Sequence, residues 1–306
     1  MEKKEGKGLR SKIAAVLTAG ICWGFMGFFT RNLATMGIGS EGAIVIRYGF
    51  SAVAYGLILL LTDLSRFKMK AKDAWCFLGA GLLSLLFFTF CYFSAISMMS
   101  LSAAAILLYI APSVVTLLSA ILFKERITPI KLLSVGLAFI GCCLVSGVAG
   151  GISITGTGLL FGIGAGVGYA LYTIFSRFAL EKGYNSLTIN FYSCLLATIG
   201  AMIIWRPTSA LASMFSGAGS FTFCIITGVV TSFVPYLLYT YGLTGLENGK
   251  ASVIASIEPV VASLLGIIYY HEPCTVPSVL GVVLVLTAVV LLNVKLPLSR
   301  RADKAS

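Results

Sequence analysis

Glu258 is the residue most able to do chemistry, because its carboxyl group lies inside the apolar run 251–270. Counted from Ala251, it lies about 12 Å along a helix that rises about 1.5 Å per residue. That is close to the middle of a hydrocarbon layer about 30 Å thick. A charge at such a depth is disfavoured by about 2.5–3.5 kcal/mol, so the side chain should face the protein interior. A carboxyl that takes up and releases a proton there suits a proton-coupled carrier. The same group could instead stabilise a helix break at Pro259, and both readings stand. Pro112 and Pro259 each interrupt an apolar run, since proline removes a helical hydrogen bond and clashes with the preceding turn. They are candidates for helix breaks or gating positions, or simply for kinks that shape packing. Arg47 lies within the run 41–61. It could bind a carboxylate or phosphate through two parallel hydrogen bonds, pair with Glu41, or extend toward the interface.

Aromatic and polar side chains accompany these groups. Trp23, Tyr48, Tyr92, Tyr109, Tyr169, Tyr172, Tyr192 and Tyr239, with Asn190, are candidates for lining a central cavity. Aromatic walls with a few polar groups suit an amphipathic solute such as an amino acid. At any single position, packing is the competing explanation.

Other chemistries lack their residues. The eight cysteines lie in or beside apolar runs, form no CxxC pair and share the chain with one histidine, His271, so they are expected to behave as small apolar side chains. No metal site and no cofactor is expected. The stretch GIGAGVG (162–168) has no lysine after it and lies in an apolar segment, so its glycines suit close helix packing rather than phosphate binding. Asp63, Asp73, Glu125, Glu181 and Glu247 are isolated acids, which argues against a membrane-embedded transferase needing clustered metal ligands.

The elements that must position these residues follow from composition. Of 306 residues, 58% are hydrophobic and 11% charged, with mean hydropathy +0.99. A soluble domain carries about 25% charged residues, so the solvent for most of this surface is lipid. Ten apolar runs predict transmembrane helices near 13–30, 41–61, 74–93, 102–123, 130–148, 157–176, 187–205, 221–242, 251–270 and 276–293. The fold class is therefore all-α integral membrane. The first run is longer than a signal-peptide core and ends in Arg31, so it reads as a retained helix. The third and fourth runs are separated by the weakly polar 94–101.

The net charge of +11 is a topology signal rather than a nucleic-acid signal. With a cytoplasmic N-terminus, all 22 Lys and Arg fall on the inside except Arg31, Arg206 and the intrahelical Arg47. Such a bias follows the positive-inside rule and places both termini in the cytoplasm. Glu2 and Glu5 near the start are unlike a transit peptide, which favours a bacterial plasma membrane.

The chain also repeats itself. At an offset of 147, Tyr92 falls on Tyr239, Ala104 on Ala251, Pro112 on Pro259, Leu117 on Leu264 and Glu125 on Glu272. At an offset of 146, AGICWGFMGFFTR (19–31) meets AGVGYALYTIFSR (165–177), which pairs Trp23 with Tyr169. Each half holds five runs, and an odd number inverts the second half across the membrane. The expected organisation is a cytoplasmic N-terminus (1–12), a first repeat (13–148), an extracytoplasmic linker (149–156), an inverted second repeat (157–293) and a basic cytoplasmic tail (294–306). Inverted repeats about a shared central site are a recurring carrier architecture.

The doubled Pro-to-Glu pattern, APSVVTLLSAILFKERIT (111–128) and EPVVASLLGIIYYHEPCT (258–275), resembles the EamA-like repeats of the drug/metabolite transporter superfamily. The resemblance covers nearly the whole chain. It implies an exporter of amino acids, other metabolites or toxic compounds in a bacterial inner membrane, with proton coupling presumed for many members. The superfamily also includes sugar-phosphate and nucleotide-sugar exchangers, so it leaves the substrate open. Ala111 stands where the second half has Glu258, which departs from any scheme requiring symmetric carboxylates. A channel or a membrane-embedded enzyme remains as the alternative to a carrier. The expected partners are a small-molecule substrate, the lipid bilayer and protons, with no nucleic acid.

Overall fold

The structure, a computed structural model, describes residues 2–98, 101–145, 156–271 and 274–293. Residues 149–155 of the expected linker (149–156), the basic tail, Glu272 and part of the 94–101 connection lie outside the described residues.

Described secondary structure is helical throughout. The first half contains α1 (Glu2–Gly24), α2 (Met26–Thr35), α3 (Ser40–Thr62), α4 (Ala74–Leu78), α5 (Phe87–Met98), α6 (Leu101–Leu108), α7 (Ala111–Leu122) and α8 (Pro129–Val145). The second contains α9 (Gly156–Glu181), α10 (Ser186–Trp205), α11 (Thr208–Met214), α12 (Ala218–Gly228), α13 (Val234–Leu243), α14 (Asn248–Ala255), α15 (Glu258–Tyr270) and α16 (Val276–Asn293). Among the described residues, seven helical stretches are long and apolar enough to cross a membrane, and three shorter apolar helices, Ala111–Leu122, Pro129–Val145 and Val276–Leu292, accompany them. Leu61, Leu160, Ile203 and Ile268 are among many large apolar side chains left exposed. In water such a surface would aggregate; in lipid it costs nothing.

The first helix begins earlier than the apolar run implies. Basic residues extend α1, and Lys12 is tied to the end of α13, where its ammonium lies 3.2 Å from the centre of the Tyr241 ring and bonds the Tyr241 carbonyl at 3.2 Å.

Packing repeats across the halves. α1 lies against α13 as α9 lies against α5, while α3 pairs with α10, α8 with α16 and α7 with α14. The glycines make the reciprocity local. A Cβ on Gly20 would fall 2.9 Å from the Ala255 carbonyl and 2.5 Å from Ile257 Cγ2. A Cβ on Gly166 would fall 2.6 Å from both the Leu107 carbonyl and Ile110 Cγ1. Each glycine lets its helix rest on the broken helix of the opposite half.

Two irregularities recur at matching places. π-helical turns span Gly79–Leu86 and Val229–Phe233. The chain also leaves helical geometry between α6 and α7, and again between α14 and α15. Pro112 and Pro259 occupy the opening turn of the restarted helix, where a missing N–H is harmless and the fixed φ suits the helix. The sequence reading places the interruption at proline; the structure places it just before, with proline starting the next segment.

Candidate functional site

The break before α15 makes Glu258 the first residue of that helix, where the helix dipole favours negative charge. Its Oε2 accepts a hydrogen bond from the Tyr169 hydroxyl of α9 at 3.2 Å. Beside this pair lies a narrow cavity. Tyr109, Pro112 and Val115 from the first half face Tyr169, Thr173, Tyr239, Ser252, Ser256 and Glu258 from the second. A second narrow pocket shares Tyr169, Thr173 and Tyr239 with the first, and adds Trp23, Ser84, Phe88, Tyr172 and Tyr236. The two neighbouring pockets make an aromatic cleft at the interface of the halves.

Trp23 is its organising ring. Its centre lies 5.3 Å from that of Tyr236, 5.4 Å from Tyr239 and 6.3 Å from Tyr169. Edge-to-face and tilted pairs of this kind hold rings in fixed orientation. The Trp23 Nε1 donor is buried and has no hydrogen-bond partner among the described residues, which leaves it available to a ligand. Tyr239 shares a 2.8 Å hydrogen bond with Thr173.

The remaining candidates sort by distance from this cleft. Asn190 is fully buried behind it: its Oδ1 accepts from the Tyr172 hydroxyl, which also meets Thr240 Oγ1 at 3.0 Å. Tyr48 is buried too, with its hydroxyl 3.5 Å from that of Tyr236. Tyr92 stacks on Phe88, outside both pockets. Tyr192 points elsewhere, donating to the Phe67 carbonyl at 2.7 Å. Arg47 neither pairs with Glu41 nor reaches the interface. Its Nε donates to Thr231 Oγ1 at 2.9 Å and its Nη2 to the Thr231 carbonyl at 3.1 Å. Thr231 sits in the second π turn, where the altered register supplies the acceptor. Arg47 thus ties α3 of the first half to the irregular helix of the second.

Sequence reasoning missed several residues. Tyr236 lies three positions before Tyr239 and Thr173 four after Tyr169, so helical spacing from known candidates is the signal that finds them. A second omission has no such signal. Lys131, only 3% exposed, bonds Glu125 Oε2 at 2.9 Å and Glu247 Oε2 at 3.0 Å. Glu125 Oε1 also accepts from the backbone N–H of Asn248 at 2.7 Å, and Asn248 Nδ2 donates to Ser119 at 3.1 Å. This cluster joins the end of α7 and start of α8 to the start of α14, on the end of the molecule where the basic loops gather.

The same architecture is found in known proteins. The model of the EamA-like transporter family matches residues 10–147 and again 156–294. The chain belongs to the EamA-like transporter family. Among its relatives, an uncharacterized transporter of Archaeoglobus fulgidus is 29% identical over 91% of this chain and 94% of its own. An uncharacterized inner membrane transporter of Salmonella typhimurium is 23% identical over 97% and 99% respectively. A protein of known crystal structure superposes with a TM-score of 0.80 at 17% identity, covering 96% of this chain and 99% of the other, which is a likeness of fold. This EamA-like chain is therefore a multi-pass membrane protein of a transporter family, with its aromatic cleft between the two matched repeats.

Proposed function

We propose that this protein is a secondary carrier that exports a small amphipathic metabolite, with an amino acid or related amine as the best-fitting class, by alternating access of two inverted five-helix repeats. In this reading the three shorter helices complete ten crossings, both termini are cytoplasmic and the membrane is the bacterial plasma membrane. Residues 13–148 and 157–293 are the moving halves. The observation that carries the proposal is the Glu258 carboxyl at a helix break, bonded to Tyr169 and facing a cleft lined by both halves. Broken helices at the repeat interface offer free backbone groups and a helix terminus to a substrate at the midplane.

The lining chemistry narrows the solute. Neither pocket has a lysine or arginine in its wall, and Arg47 is committed to Thr231. A phosphorylated solute would lack a counter-charge there, which disfavours the sugar-phosphate and nucleotide-exchanger alternative. An ammonium group could instead use Glu258 and the faces of Tyr169, Tyr239 and Trp23, with the Trp23 indole N–H left for an acceptor. Glu258 then serves as the group that exchanges a proton for substrate.

The Glu125–Lys131–Glu247 cluster acts as the closure on the basic side, and must part when the cleft opens that way. Counterflow in liposomes tests the carrier reading. Preloaded unlabelled amino acid or amine should accelerate entry of the same labelled solute. Flux that never shows such exchange across amino acids, amines, nucleobases and sugar phosphates, in inserted and folded protein, would contradict it.

A further inference from the structure

A third, more open cavity of about 470 Å³ lies away from the aromatic cleft, where the loop after α3 folds over the turn between α9 and α10. Its wall carries Arg66, Lys68, Lys70 and Lys182. The neighbouring acids are already engaged: Asp63 holds Arg66 at 3.1 Å, and Asp73 holds Lys182 at 2.8 Å. Lys68 and Lys70 have no acidic partner among the described residues.

The shell is firmly tied. Thr188 Oγ1 donates to the Arg66 carbonyl at 2.8 Å. The Tyr184 hydroxyl accepts from the Lys70 N–H at 3.0 Å and donates to Asp73 at 2.9 Å. Tyr192 completes the set through its bond to the Phe67 carbonyl. This explains why Tyr192 leaves the central cleft. Leu61 and Leu64, just before the cations in the chain, and Trp75 are exposed apolar side chains, and Lys182 lies 5.8 Å from the centre of the Trp75 ring.

We propose that this cavity binds the headgroup phosphate of an anionic phospholipid, whose acyl chains run along Leu61, Leu64 and Trp75. Unpaired lysines meet the phosphate, and the apolar flank meets the chains, a pairing that a soluble phosphate would not use. Juxtamembrane basic pockets attract anionic headgroups through charge that is worth little in bulk water but adds up near the surface. Because one wall comes from the first half (63–70) and the other from the second (182–188), the bound lipid bridges the two.

Native mass spectrometry of the full chain in detergent tests this with phosphatidylglycerol and phosphatidylcholine. The wild type should retain one phosphatidylglycerol in preference to phosphatidylcholine. The exposed double substitution Lys68→Gln/Lys70→Gln should weaken that retention by about thirtyfold, the effect of two interfacial charges. Lys124→Gln/Arg126→Gln, on another basic loop, should leave it unchanged. Equal retention by the Lys68/Lys70 variant, or an equal loss in the Lys124/Arg126 variant, would overturn the site. So would glycerol 3-phosphate raising the melting temperature as much as phosphatidylglycerol does, because the ligand would then be a soluble phosphate.

Discussion

Trp23 combines a packed ring with a buried donor that has no partner among the described residues. Its ring is fixed by Tyr169, Tyr236 and Tyr239. A single neutral hydrogen bond contributes about 0.5–1.5 kcal/mol. Trp23→Phe should therefore raise the half-saturation concentration in counterflow by about 2- to 10-fold with little loss of maximal rate. Unchanged affinity would remove the indole from the binding site. Much of this site was legible from residue types. A carboxylate in an apolar run, paired prolines and the repeat-matched aromatics named Glu258, Pro112, Pro259, Tyr169 and Tyr239 before any geometry, with Tyr109 a further aromatic candidate. What the sequence hid was direction. Arg47 and Tyr192 stand in the right helices with suitable chemistry, yet each turns to a backbone carbonyl elsewhere. Helical periodicity fixes the face a residue occupies, but the acceptor it finds depends on tertiary packing.

At the scale of elements, the repeat is a packing device as well as a sequence pattern. Gly20 and Gly166 occupy equivalent positions against opposite broken helices. Either glycine changed to alanine would force those backbones apart, and overpacking of this kind costs about 1–3 kcal/mol. Gly27, with nothing within 4 Å of an added Cβ, should tolerate alanine and gain about 0.5–1 kcal/mol of helix propensity. Thermal unfolding in detergent separates the cases: lower melting temperatures for Gly20→Ala and Gly166→Ala, an equal or higher one for Gly27→Ala. A uniform response would mean that close approach at these glycines does not matter. The apolar runs located the helices because hydrophobic length is a strong signal in lipid. The π turns at Gly79–Leu86 and Val229–Phe233 were not legible, since a one-residue change of helical register leaves no mark in composition. The turn at Val229–Phe233 supplies the Thr231 carbonyl that holds Arg47.

For the whole molecule, the proposed alternating-access cycle has the two halves separate on one side while closing on the other. In that cycle the buried Glu125–Lys131 pair, which Asn248 supports, is the proposed closure on the basic side. Removing one partner of a buried pair leaves the other uncompensated, at a cost of about 3–5 kcal/mol. Lys131→Met should thus open that side and increase labelling of Ser256→Cys by a membrane-impermeant maleimide applied there. Glu247→Gln should do so far less, because Glu247 is 57% exposed and exposed pairs contribute about 0–1 kcal/mol. Equal labelling in all backgrounds would show that the cluster is not a closure. Glu258 is the proposed group that couples protons to substrate movement in the cleft between the halves. The most direct measurement compares wild type and Glu258→Gln in proteoliposomes, with counterflow and accumulation driven by an imposed proton gradient measured side by side. The account predicts that Glu258→Gln retains exchange of the solute and loses gradient-driven accumulation. Full accumulation by Glu258→Gln would contradict it and leave Glu258 as a structural carboxyl at the break before α15.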